Sequence, residues 1–122
     1  MTITAIREKL AADLEPTGLP VFVAWPDRPP IPCLVLVPGG AGYVTAPPGN
    51  NFGAYTLWID VLLLVRRDVG PVALAALDEV LEVVLANTVD WGLTRVDAPS
   101  LVAVGQQQTL GCLISLSKAF RL

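Results

Sequence analysis

The run Gly39-Gly40-Ala41-Gly42 is the first stretch of this chain that suggests chemistry, because it follows a predicted strand as phosphate-binding loops do. A Walker loop also needs a lysine followed by a hydroxyl residue, and neither comes after these glycines. No helical pattern follows the run, and the spacing of a dinucleotide-binding loop is absent as well. The glycines therefore predict a loop with no phosphate or cofactor site.

Four side chains are candidate nucleophiles, namely Cys33, Cys112, Ser115 and Ser117. The chain has no histidine, which removes the commonest general base and the commonest metal ligand. Neither serine lies in a nucleophile-elbow sequence, and neither cysteine has a C-x-x-C partner or a basic neighbour. We therefore predict two reduced, buried thiols, and whether they are neighbours in the sheet stays open. The sequence argues against an enzyme and predicts no catalytic, cofactor-binding or metal-ligating residue.

Asp60 is the one titratable group in an unusual place, because it lies among large apolar residues of a predicted strand. It can stand at the solvated edge of the sheet, face a partner subunit, or pair with Arg66, Arg67 or Arg121. A catalytic acid would need a second acid or base beside it, and the sequence places none there.

One long strand and the helix after it organise the rest of the chain. Alternation with period 2 over Ala54–Arg67 gives one uniformly apolar face and one mixed face. A strand with this pattern is central, or is covered from both sides. Its apolar face contains Tyr55, Leu57, Ile59, Val61, Leu63 and Val65.

The helix is predicted over Val72–Ala86, and its apolar surface is unusually wide. The side that faces the sheet is expected to contain Leu74, Leu77, Leu81, Val84 and Leu85. Val72, Ala76 and Val83 extend the apolar arc to roughly 220° on an ideal wheel, where a helix packed on one sheet needs about half of that. The surplus predicts a second contact, either with another subunit or with loops of the same chain.

The remaining segments predict a second helix and several shorter strands. The helix spans Ile3–Glu15 and is capped by Thr2 or Thr4. Strands are expected at Val21–Trp25, Cys33–Val37, Leu93–Val96, Ser100–Val104 and Thr109–Phe120. The predicted fold is therefore α+β, a single domain over residues 1–122 with a mostly antiparallel sheet and two helices packed on one face.

The segment Pro38–Gly53 is a loop of sixteen residues with five glycines and three prolines. Loops of this length are usually functional or mobile. Tyr43 and Phe52 are its apolar anchors, and residues 43–45 can pair briefly as an edge strand. We predict a mobile loop that orders against a neighbouring molecule, with Tyr43 and Phe52 in the contact. The alternative is an ordered surface loop held by its own Tyr43.

Hydrophobic residues make up 53% of the 122 residues, and the mean hydropathy is +0.60, which is high for a small soluble chain. No apolar run approaches the ~20 residues that cross a bilayer, and no secretory signal is visible at the N-terminus. The excess apolar content is predicted to form a core and a protein–protein interface. The net charge is −3 and the basic residues are scattered, so no nucleic-acid binding is expected.

In the order and residue composition of these elements, the chain resembles the tail terminator (minor tail) proteins of long-tailed phages and prophages, particularly those of actinobacterial hosts. The resemblance covers nearly the whole chain. It rests on the capped first helix, the proline-rich short strands, the Gly/Pro loop, the aromatic-bearing strand AYTLWIDVLLLV, the helix with Leu77-Asp78-Glu79-Val80-Leu81, and the terminal hairpin.

The resemblance implies a structural virion protein without cofactors. Such proteins form a hexameric ring at the head-proximal end of the tail tube, where the ring ends tube polymerisation and docks the head–tail connector. Genomic DNA passes through the lumen without specific binding. The implied location is the virion neck, and the host cytoplasm during assembly. Two alternatives stay open: a head-completion or connector protein of the same neck, and a small cytosolic domain that binds an apolar ligand between sheet and helices.

Overall fold

The structure, a computed structural model, describes residues 2–40, 42–49, 52–67 and 70–122. The elements are α1 (Ile3–Asp13), a short 3-10 turn (Glu15–Thr17), β1 (Val21–Phe22), β2 (Cys33–Pro38), β3 (Val44–Thr45), β4 (Ala54–Arg66), α2 (Gly70–Asn87), β5 (Gly92–Val96), β6 (Ser100–Val104) and β7 (Gln107–Arg121). No helix in the described ranges combines the length and the apolar character that a membrane crossing requires.

Two long antiparallel strands form the centre of the sheet. β4 pairs with β7 along its whole length, from Ala54 opposite Arg121 to Arg66 opposite Thr109. β2 and β3 pair with the other edge of β4, and β5 and β6 pair with the other edge of β7. β1 lies parallel to β2, and the other pairings between described strands are antiparallel. The prediction of a mostly antiparallel α+β fold is confirmed.

Both helices pack on one face of this sheet, as predicted, and they cover the uniformly apolar face of β4. Leu57 and Leu63 are completely buried there, because helix side chains close over them. Full burial of one such side chain contributes about 1.5–3 kcal/mol, so this layer dominates the stability of the fold. The residues that α1, its C-cap residue and α2 contribute to the cluster are Ile6, Leu10, Leu14, Leu77 and Val84.

The surface of α2 that packs on the sheet is narrower than predicted. Ala73, Leu77 and Val84 are buried, whereas Leu74 is 46% exposed. The prediction for Leu74 was wrong because the helix is centred on the row of Leu77 and Val84, and Leu74 lies about 60° around the helix from Leu77. Val80 and Leu81 pack at the margin of the same cluster.

A smaller core lies on the opposite face of the sheet. Cys33 and Val35 of β2 and Leu64 of β4 are fully buried there. Phe22, Ile31, Val37, Leu62, Val102 and Val104 pack around these three residues. The prediction that β2 is covered on both faces is therefore confirmed.

The second face of β7 is buried at Thr109 and Gly111, although the residues of β7 on this face are mostly small or polar. The cause is β6, whose Val102 lies over Gly111 so closely that a Cβ on Gly111 would stand 2.6 Å from Val102 Cγ2. The hairpin of β6 and β7 thus covers part of the face by itself.

Two boundaries near the N-terminus differ from the predictions. α1 ends at Asp13 and not at Glu15, and its cap is Thr2, whose hydroxyl accepts a 3.1 Å hydrogen bond from the Ala5 amide. β1 contains only Val21 and Phe22, so the predicted strand up to Trp25 was too long. The reason is that β1 finds partners in β2 only at Leu34 and Val35.

Candidate functional site

The strongest candidate for a functional surface is the outer side of α2. Val72, Ala76, Glu79, Val83 and Ala86 are all exposed and follow one another at steps of four, three, four and three residues. This spacing places them in one row on the helix, as in the seam of a coiled coil. We call this row the outer stripe of α2. It contains all three helix residues that the sequence predicted for a second contact.

The exposure of the outer stripe bears on one of the two contacts that the sequence left open, the contact with loops of the same chain. Val72 is 62% exposed and Val83 is 36% exposed, so the described loops of this chain do not cover them. Glu79 and Ala86 were not predicted as members of this row, although their spacing in the sequence places them in it. α2 contains three acidic residues, Asp78, Glu79 and Glu82, and no basic one.

Tyr43 belongs to the fold of its own chain. Its ring packs against the main core, and its hydroxyl accepts a hydrogen bond from the Arg7 guanidinium, which also lies over the ring. Its carbonyl accepts a 2.9 Å hydrogen bond from the Trp58 amide, and Val44–Thr45 continue this pairing as β3. The described structure therefore favours the alternative in which Tyr43 holds the loop. Ala41, Asn50 and Asn51 of the loop lie outside the described residues.

Phe52 is placed differently from Tyr43. Its side chain is 76% exposed, and its backbone has φ +51°, a left-handed conformation that bulky residues rarely adopt. The Arg121 guanidinium donates a 3.1 Å hydrogen bond to the Phe52 carbonyl. Leu122, also exposed, donates its amide to the neighbouring Gly53 carbonyl. Phe52 and Leu122 are therefore two exposed apolar residues on neighbouring backbone segments at one end of the sheet.

Asp60 is buried in the centre of the second face, with 6% of its surface exposed. Its Oδ2 accepts a 3.2 Å hydrogen bond from the Gly40 amide, and Ser115 lies opposite on β7. The pairing with Arg66, Arg67 or Arg121 is not found, since the ion pairs among the described residues join Lys9 to Asp13 and Arg95 to Asp97. Asp60 thus links β4 to the loop that contains Gly40. Its side chain lines a cavity of about 110 Å³.

The two cysteines lie on opposite faces of the sheet, which answers the question that the sequence left open. Cys33 belongs to the small core of the second face, and Cys112 to the main core beneath the helices. Both are free thiols, as predicted. Burial raises the pKa of both, and the Asp97 and Asp78 carboxylates raise the pKa of Cys112 further. Both thiols therefore stay protonated at neutral pH.

The larger of two clefts at the end of β4 has a volume of about 530 Å³ and combines proline rings with two arginines. Pairing of β2 with β4 brings these distant segments together, so the cleft could not be predicted from sequence patterns. We call it the proline–arginine cleft. Its lining residues are Pro29, Pro30, Ile31, Arg66, Arg67, Gln107 and Gln108.

A smaller cleft, of about 180 Å³, opens between α2 and the end of β4. It bears on the alternative of an apolar ligand between sheet and helices. Known ligand pockets enclose roughly 300–1,000 Å³, so this cleft is small for that purpose. The main core fills the space directly beneath the helices over β4, and an open groove of about 510 Å³ lies beside it between α1 and β1.

No protein-family model matches this chain, and no curated protein matches it. The function is therefore inferred from the surfaces of the molecule itself.

Proposed function

We propose that this chain is a structural protein of a long-tailed phage that assembles as a ring at the head-proximal end of the tail tube. The observation that carries the proposal is the outer stripe of α2. This stripe is apolar in four of its five positions, and yet it is exposed along its length. A helix whose apolar residues occupy both the sheet side and the outer side needs a second contact surface.

The size of the exposed apolar surface supports self-assembly. Burial of apolar surface gains about 25 cal/mol per Å², and each exposed valine or leucine in a contact adds to this gain. Large apolar side chains with at least 36% exposure occur in the strands and loops as well as in α2. They include Val23, Trp25, Phe52, Val72, Leu74, Val83, Val89, Leu93, Leu101 and Leu122.

Phe52 supports the same proposal independently of α2. An exposed phenyl ring and a left-handed backbone are both unfavourable in an isolated chain. Burial of the ring against a neighbour would offset both costs, and strained residues of this kind concentrate at functional contacts. Phe52 is therefore the contact residue that the loop contributes to the ring, while Tyr43 holds the loop in place.

The ring would have the tail tube protein on one side and the head–tail connector on the other. Genomic DNA would pass through its lumen. The net charge of −3 suits this passage, because an acidic wall does not retain phosphates. Binding to duplex DNA should then be undetectable at moderate salt, and micromolar affinity with a steep salt dependence would contradict the passive lumen.

Electron microscopy of the purified protein tests the proposal most directly. Negative-stain images should show rings, either at high protein concentration or after addition of tail tubes. Val83→Asp should prevent ring formation, because it replaces a large apolar residue of the outer stripe by a second carboxylate next to Glu79. Ala5→Asp is the control, since it adds the same charge at an exposed residue of α1 that belongs neither to the stripe nor to the exposed apolar residues named above.

A genetic measurement completes this test. Loss of the gene should give tails of uncontrolled length that fail to join heads, and the wild-type chain should restore normal particles. Normal tail length without the gene, or normal particles with Val83→Asp, would contradict the proposal.

A further inference from the structure

We propose that the outer stripe of α2 in one copy docks into the proline–arginine cleft of the next copy, with Glu79 opposite Arg66 and Arg67. This inference rests on the proposed self-assembly and identifies the surface that receives the helix. It starts from Glu79, which lies between Ala76 and Val83 in the middle of an otherwise apolar row.

The position of Glu79 restricts the chemistry of any surface that covers the stripe. When Val72 and Val83 are buried in a contact, the Glu79 carboxylate loses water as well. A carboxylate that loses its water without gaining a cation is strongly unfavourable. The surface opposite the stripe must therefore be apolar and must carry a positive charge near its centre.

The basic side chains of this chain identify that surface. All eight lie in the described ranges, and five of them have partners elsewhere. Lys9 and Arg95 pair with carboxylates, Arg7 contacts Tyr43, and Lys118 and Arg121 donate to backbone carbonyls. Arg28, Arg66 and Arg67 remain, and all three are exposed.

These three arginines adjoin the proline-rich segment. Arg66 and Arg67 line the cleft together with Pro29 and Pro30, and Arg28 directly precedes these prolines in the chain. Arg67 donates a hydrogen bond to the Gln108 amide oxygen, which is neutral and leaves the positive charge uncompensated. The cleft thus offers proline rings for the valines and guanidinium groups for a carboxylate, and guanidinium binds carboxylate in a favourable fork geometry.

The occupant is a second copy of this chain, because the acidic stripe and the basic cleft are complementary in charge and are present on the same molecule. The contact joins two different surfaces, so each copy uses its stripe toward one neighbour and its cleft toward the other. Repetition of such a contact closes into a ring when the rotation between copies allows it.

Charge reversal tests the contact. Glu79→Arg and Arg66→Glu should each weaken self-association by about fivefold or more per contact, because each replaces an attraction by a repulsion. An equimolar mixture of the two variants should assemble like the wild type. In the mixture, Glu79 of the Arg66→Glu variant meets Arg66 of the Glu79→Arg variant. At the next contact, the arginine introduced at position 79 meets the glutamate introduced at position 66.

Glu8→Arg is the matched control, because Glu8 is an exposed acidic residue on α1 and the change in net charge is the same. Mass photometry or sedimentation measures the assembly, and thermal unfolding confirms that each variant folds. Where assembly requires tail tubes, the same comparison is made on the tubes.

The outcomes separate this inference from the proposed function. If the wild type forms rings and Glu79→Arg assembles as well as Glu8→Arg, the docking contact is wrong, although the proposed ring is not contradicted. The same conclusion follows if self-association of the mixture stays as weak as that of each single variant. If Arg66→Glu impairs only the joining to heads or tubes, the cleft binds another partner and the inference is again wrong. A wild type that stays monomeric in solution and on tubes overturns both.

Discussion

The backbone of Gly39 lies against Trp58 of β4 without space for a side chain. A Cβ on Gly39 would stand 2.6 Å from the Trp58 Cβ and 2.7 Å from the Gly42 carbonyl oxygen. The Gly39 amide donates a 3.0 Å hydrogen bond to the Trp58 carbonyl, so the pairing of β2 with β4 continues into the loop. Gly39, the first glycine of the run that resembles a phosphate loop in sequence, is therefore required for close packing of two backbones.

Gly39→Ala should lower the free energy of unfolding by about 1–3 kcal/mol, because the methyl group forces the loop away from β4. Gly40→Ala is the control. The nearest atom to a Cβ at Gly40 is Asp60 Oδ2 at 3.9 Å, and its amide can still donate to that oxygen. Urea denaturation measures both variants. Equal losses of stability at the two glycines would contradict the close packing at Gly39.

The contact between Val102 and Gly111 predicts a non-additive pair of substitutions. Gly111→Ala should cost about 1–3 kcal/mol, since the new methyl group overlaps Val102 Cγ2. Val102→Ala removes that atom, so the double variant should be more stable than the sum of the two single losses indicates. Denaturant unfolding of the four proteins in this cycle measures the coupling. Strict additivity would show that β6 does not lie over Gly111.

The buried thiols predict a loss of stability at alkaline pH. Burial raises the folded-state pKa of Cys33 and Cys112 above the ordinary value of 9.0. The thiols of the unfolded chain ionise as the pH rises through that value, while those of the folded chain stay protonated. The unfolded state then binds fewer protons, so the free energy of unfolding falls as the pH rises.

Denaturation at pH 8 and pH 10 measures this effect, and the variant with both cysteines replaced by alanine is the control. The control should be less stable at both pH values, but its loss of stability between them should be smaller. Equal losses in the two proteins would contradict the raised pKa values. The wild type should also form no internal disulfide under oxidation, because its cysteines are on opposite faces of the sheet.

Phe52 predicts opposite effects on folding and on assembly. Phe52→Gly should raise the free energy of unfolding by about 1 kcal/mol, because glycine adopts the left-handed backbone without strain. The same change should weaken self-association, since it removes the exposed ring. Phe52→Ala should weaken association without the gain in stability, because alanine keeps the strain. A Phe52→Gly protein that assembles like the wild type would remove Phe52 from the contact.

Several features could be predicted from the sequence because they depend on local periodicity. Alternation along β4 identified its buried face, and Leu57 and Leu63 are indeed completely buried. The spacing along α2 identified Val72, Ala76 and Val83 as surplus apolar residues, and the structure leaves all three exposed. Leu74 was assigned wrongly because a wide apolar arc does not reveal which of its rows faces the sheet.

Other features depend on contacts between distant segments, so they could not be predicted from local periodicity. The pairing of β2 with β4 and of β4 with β7 places Cys33 and Cys112 on opposite faces, since each strand register determines which side chains point to which face. The same pairing brings Pro29 beside Arg66, and the packing of α1 brings Arg7 to Tyr43. Periodicity follows from the geometry of a single element, so the helices, the central strand and the surplus of apolar residues on α2 could be predicted from the sequence. Strand register, and the face of the sheet on which each side chain lies, follow from non-local packing. The second core, the anchoring of Tyr43 and the proline–arginine cleft therefore appear only in the folded chain.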